Sequence, residues 1–193
     1  MSQQSRAGTV VFIDENLKDK KIGLLSIPWP PAPQQILARI REKHGMYDEM
    51  KWSTISRQKV PFLTDVIETF FANTSFGRIN ITPITSSLDD AIFHSLKAVY
   101  PHCFPYNGIF IDDHTTPKGY EFERKVKAAF DCNCVLRLDS KATQLLQLCD
   151  LMLNLTIRAS ADVPPASEHK ARLVEVFKVA RDKSSFPRCF LWP

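Results

Sequence analysis

The stretch 142–158 (ATQLLQLCDLMLNLTIR) places the tightest limit on how this chain can fold, because nearly every position on a helix drawn through it is apolar. A helix that is hydrophobic on most of its circumference has to be enclosed by other elements. Its polar residues Thr143, Gln147, Asp150 and Asn154 follow at intervals of four, three and four, so they form one narrow stripe. Two readings of the stripe are open. It is the solvent edge of the helix, or it lines a pocket. A solvated edge more usually carries Lys, Glu or Arg, whereas here two amides and a threonine surround a single aspartate.

The rest of the chain supplies the enclosing elements. Residues 9–13 (TVVFI) form a β-branched and aromatic run that stops at Asp14 and Glu15, and 22–27 (IGLLSI) reads as its hairpin partner. PWPPAP at 28–33 is a loop. Helical periodicity follows over 34–44, closed by Gly45, and over 61–72, with Pro61 in the first turn. The segment 46–56 is ambiguous. A strand is expected over 76–84 and a helix from a Ser87 cap to about 100. A strand over 108–111 ends at Asp112. After it come an amphipathic helix over 118–130, a short strand over 134–138 and a last helix from Ser167 to about 181. A hairpin, then strands alternating with helices, predicts an α/β mixed sheet flanked by helices. With 193 residues the chain fits one domain, with a C-terminal helical extension from about 165.

Composition narrows the class of protein. With 44% hydrophobic and 24% charged residues the chain is not disordered, and a net charge of +4 permits a nucleic-acid partner without requiring one. Five cysteines are an odd set suited to a reducing compartment, and Cys132 and Cys134 lack a second pair at zinc-finger spacing. There is no signal peptide and no apolar run of about eighteen residues, so the expectation is a soluble, cytoplasmic protein that does not span a membrane.

Two strands, TVVFI-Asp14 and GIFI-Asp112, have the same form, an apolar run ending in a carboxylate. Such a carboxylate either begins a turn, which aspartate does well, or is buried and needs a compensating partner such as a cation. Sites in open α/β sheets collect beyond strand ends. Glu15 and Asp113, next in sequence, point to the opposite side if the chain stays extended there, and are expected to be bystanders or caps.

Together these pieces carry a family resemblance. Asp139-Ser140 followed by Gln147-Leu148-Cys149-Asp150 resembles the closing motif of the uncharacterised family called domain of unknown function 3800. FIDEN (12–16) is similar to that family's Asp-Glu-Ser-Gly opening, Glu49-Met50-Lys51 to its Glu-x-Lys element, and Phe110-Ile111-Asp112 to its later strand-end aspartate. Asn16-Leu17 depart from the Ser-Gly of the family. The resemblance spans about residues 9–156 and implies a ribonuclease H-like fold. It further implies that Asp14, Glu49, Asp112 and Asp150 are catalytic ligands of magnesium or manganese. Such hard ions take oxygen ligands, and a pair about 3.5–4 Å apart can activate water and stabilise a leaving oxygen in phosphodiester cleavage.

On that footing Lys51 and Gln147 are candidate substrate contacts and DNA or RNA the expected partner. Lys51 as a solvated surface lysine is the competing assignment. His114 is a candidate proton donor or an uninvolved loop histidine. The basic C-terminal residues Lys170, Arg172, Lys178, Arg181, Lys183 and Arg188 either track a phosphate backbone or are a solvated face. Trp29, Trp52 and Trp192 either stack on bases or anchor core and loops. Three functions follow: a metal-dependent nuclease, a non-catalytic ribonuclease H-like module binding nucleic acid or a protein, or a hydrolase of small phosphorylated molecules.

Overall fold

A computed structural model describes residues 8–103, 105–112, 120–161, 165, 167–185 and 188–191. Asp113, His114, Lys118, Pro164 and Trp192, and the side chains of His102 and Cys103, lie outside the described residues. The chain forms an α/β structure with a six-stranded mixed sheet flanked by helices. β1 (Thr9–Asn16) and β2 (Lys21–Pro28) make the opening hairpin. α1 (Pro33–His44) and α2 (Val60–Ala72) follow before β3 (Arg78–Pro83). Then come α3 (Leu88–Cys103), β4 (Tyr106–Asp112), α4 (Tyr120–Phe130), β5 (Val135–Leu138), α5 (Gln144–Ala159), α6 (Glu168–Lys183) and β6 (Cys189–Leu191). Among the described residues no helix is long and apolar enough to cross a membrane.

The strand order is β5-β4-β1-β2-β3-β6. β2 runs antiparallel to β1 and β3, while β4 is parallel to β1, β5 to β4 and β6 to β3. The C-terminal ends of β1, β3, β4 and β5 therefore share one edge of the sheet. Between β3 and β4 the chain crosses from one side of β1 to the other, the kind of switch point at which open α/β sheets place their sites.

Both faces of the sheet are covered. Val11, Ile13, Ile22 and Leu24 pack against α3 and α4 through Ile92, Leu96, Phe122 and Val126. Val10, Phe12, Leu25 and Ile27 pack against α1, α2, α5 and α6. Burial on two faces explains why β1 reads as a continuous apolar run. β1 also continues to Asn16, three residues past the expected end, because β2 pairs with it throughout, Asp14 opposite Gly23 and Asn16 opposite Lys21. The α5 helix lies directly on this hairpin. A side chain at Gly23 would meet the Leu153 Cβ at 3.1 Å, and the Cys149 thiol donates to the carbonyls of Phe12 at 3.3 Å and Gly23 at 3.4 Å. α1 ends at Gly45, in the left-handed conformation at φ 58°, where glycine carries no steric cost.

The C-terminal segment is built into this core. Leu173, Val174 and Phe177 of α6 share the cluster containing α2 and α5, and the Phe177 ring meets Phe71 edge-on at 5.2 Å. β6, which no sequence pattern announces, adds to the sheet edge beside β3. Arg188, expected in a basic surface patch, is 4% exposed and donates to the Gly77 carbonyl at 3.0 Å. Phe177→Ala should cost about 3–5 kcal/mol, read from urea unfolding with an unchanged denaturant slope. A loss under about 1 kcal/mol would mean that α6 is only appended.

Candidate functional site

β1 and β4 run side by side in register up to Ile13 and Ile111. The next residue of each strand, Asp14 and Asp112, therefore arrives at the same edge on the same pleat. Both are 4% exposed. α5 brings Asp150 to this edge from above, and the segment between α1 and α2 brings Glu49 and Lys51. The four acids implied by the resemblance thus come from two strands, a helix and a loop, and they act on one another. Burial raises the Asp14 carboxyl well above the usual range, and the charges of Asp150, Glu15 and Asp112 raise it further. Burial likewise lifts Asp150 from 3.8 to about 6, against the Trp52 amide and Lys51, which favour its charge; Asp112 and Glu49 add to the rise.

A fifth carboxylate belongs to the group. Glu15 is raised from 4.5 to about 8, first by burial and then by Asp112. Its Oε2 is buried without a hydrogen bond, as is the Glu49 Oε1. Strand alternation alone assigns Glu15 to the far face. Its carboxyl is nonetheless near enough for the charges of Asp112 and Asp150 to add to its rise. Its position directly after Asp14 is the one signal of this in the sequence.

Neutral groups organise the surroundings. The polar stripe of α5 is not a solvent edge: Gln147 is 4% and Asn154 5% exposed. The Asn154 amide donates to the Asp150 Oδ1 at 2.9 Å, and its carbonyl oxygen accepts from Asn16 at 2.8 Å. Asn16 thereby ties the hairpin to α5. The Gln147 Oε1 accepts from Arg41 at 2.9 Å and from the Met50 amide at 3.1 Å, and its Nε2 donates to the Ser140 carbonyl at 2.9 Å. Its polar atoms are thus engaged within the protein, where they hold the loop that carries Glu49 and Lys51. Two further contacts fix that loop. The Trp52 amide donates to the Asp150 Oδ2 at 2.8 Å, and Lys59 donates to the Glu49 carbonyl at 2.9 Å. Lys51 Nζ stands 3.6 Å from the Glu49 Oε1, both side chains 21% exposed.

All the acidic donors are carboxylate oxygens, the type a hard divalent ion takes. Among the described residues, no three His, Cys, Asp or Glu side chains already stand at a spacing that would hold a metal ion. The acids share a field without converging on a point.

The fold and site define an α/β protein with a carboxylate cluster at the C-terminal edge of a mixed sheet. Comparison with known protein families and with curated proteins returns no match.

The shifted carboxyls bear directly on stability. Carboxyls raised in the folded state bind protons that the unfolded chain has released, so these groups stabilise the fold most in acid. It should lose stability as the pH rises through about 6 for Asp150 and about 8 for Glu15. Urea midpoints in chelator should fall across this range, and Glu15→Gln should flatten the upper part; equal midpoints would contradict the assignment. Gln147→Leu leaves the Met50 amide without its acceptor and should cost about 1–3 kcal/mol in the same assay.

Proposed function

We propose that the chain is a metal-dependent nuclease, of ribonuclease H-like type, that cleaves phosphodiester bonds in DNA or RNA. One observation carries this reading: Asp14 and Asp112 are buried at the switch point of the sheet, with partly buried Asp150, Glu49 and Glu15 around them, and the charges of the group oppose one another. So many carboxylates in one desolvated place are stable as anions only with a cation among them. The hairpin-first mixed sheet and the ordered motif set of the family resemblance support the same reading.

Asp14, Glu49, Asp112 and Asp150 would hold magnesium or manganese, and the unbonded Glu15 Oε2 and Glu49 Oε1 are oxygens that such an ion would satisfy. When bound, a pair of these ions activates water and stabilises the leaving oxygen. The protein contributes position and charge. Asn154 and the Trp52 amide orient the Asp150 carboxylate, and Gln147 holds the Glu49 loop. Lys51, on the open side of the loop, meets a substrate phosphate. No nucleophilic side chain is needed.

A second reading, a non-catalytic module that binds nucleic acid or a protein partner, is favoured by the lack of a ready three-ligand set among the described residues. One experiment separates the two. Purified protein should cut oligonucleotides with magnesium or manganese, and its melting temperature should rise with either ion. Asp14→Asn and Asp150→Asn should still fold, gain stability in chelator and lose the response to ions. Their cleavage should drop by more than the roughly 10–100-fold that loss of an outer-shell partner costs. Wild-type protein that neither shifts with these ions nor cuts nucleic acid leaves the second reading standing.

A further inference from the structure

A cleft of about 570 Å³ opens where α1, α2 and α6 meet, a size typical of ligand sites. Arg57, in the short turn before α2, and Arg172, on α6, both line it. Neither makes an ion pair or hydrogen bond with any described residue, and both are exposed. Two acids face the same space. Asp65 is already occupied, with Lys43 at 2.6 Å and His44 at 2.8 Å, and this holds its carboxyl below the ordinary range. Glu168 remains, so two guanidiniums face one uncommitted carboxylate. His169 completes the wall, its Nε2 donating to the Ile55 carbonyl at 3.0 Å.

The loop carrying Trp52 and Arg57 links the cleft to the acid cluster. The Trp52 amide is bonded to Asp150, and the Lys170 ammonium lies 5.1 Å from the centre of the Trp52 ring. From Trp52 the chain runs past Ile55 to Arg57. At about 3.3–3.6 Å per residue, five steps span at most roughly 18 Å, a reach of a few nucleotides. Trp52 itself packs against the core, so the cations around it, rather than its ring, are what a strand's phosphates would meet. The two arginines also have the planar fork that grips phosphate in bidentate fashion.

We propose that the cleft is a phosphate subsite in which Arg57 and Arg172 hold the backbone of a nucleic-acid strand a few nucleotides from the acid cluster. This rests on the nuclease reading for the strand's destination, but binding can be measured without cleavage. The experiment uses the full chain, a fluorescent single-stranded oligonucleotide and chelator, with anisotropy read over a range of salt. Arg57→Ala with Arg172→Ala should bind more weakly for every sequence, and the slope of log affinity against log salt should shrink by roughly 0.7 for each phosphate no longer neutralised. Arg181→Ala, on the same helix but paired with Asp182 at 3.0 Å and outside the cleft, should leave the slope unchanged. An unchanged slope in the double variant would overturn the subsite even if the wild type cuts with magnesium. A reduced slope in a protein that never cuts would uphold the subsite and reject the nuclease. Wild-type protein that binds no oligonucleotide, or that is displaced as readily by polyglutamate, would also overturn it.

Discussion

The seat of α5 on the β1–β2 hairpin governs both the fold and the site. Gly23 removes the side chain that would hold the helix off the sheet, and Cys149 bonds to backbone carbonyls on both strands. With the helix this close, its register along the hairpin decides what lies opposite what, and Asp150 comes to the end of β1 where Asp14 sits. A larger residue at Gly23 would push the helix away at the point where Leu153 packs. The charges of the cluster thus face each other because apolar packing leaves them no alternative.

That arrangement works against stability. Burial penalises the charged form of Asp14, Glu15 and Asp150, and their neighbours add repulsion. The surrounding network holds the strain in place: Asn16 and Asn154 clamp hairpin to helix, while Arg41 and Gln147 clamp the Glu49 loop to the same helix. Sites of this kind, destabilised locally and supported from outside, are where shifted carboxyls tend to gather in functional proteins. The two arginines of the α1–α2–α6 cleft have the opposite sign, and the loop from Glu49 to Arg57 runs between the two regions.

Much of this can be read along the chain. The apolar α5, the hairpin, both strand-end aspartates and the helix stop at Gly45 all follow from local pattern, and their boundaries fall within a few residues of those expected. The polar stripe of α5 signals that something lies against it. What escapes is non-local. β6 is three residues long and exists only because β3 offers an edge, so no periodicity can mark it. Arg188 resembles surface charge in the sequence, yet it closes that edge. Glu15 resembles a bystander, because alternation predicts a face and says little about how far a long side chain reaches at a strand end. Gln147 reads as a substrate contact, but its partners Arg41, Met50 and Ser140 meet it only in the folded chain, and Arg41 and Met50 lie far from it in sequence.

The sequence by itself determined the element types, the α/β class and the presence of carboxylates after two buried strands and on a buried helix. These depend on periodicity and side-chain chemistry, which act over one or two turns or a strand's length. The tertiary structure decided which acids face each other, which amides hold them and which arginines stay uncommitted. Those outcomes depend on the β1–β4 register and on helix seating, and both are set by contacts between residues about a hundred or more positions apart.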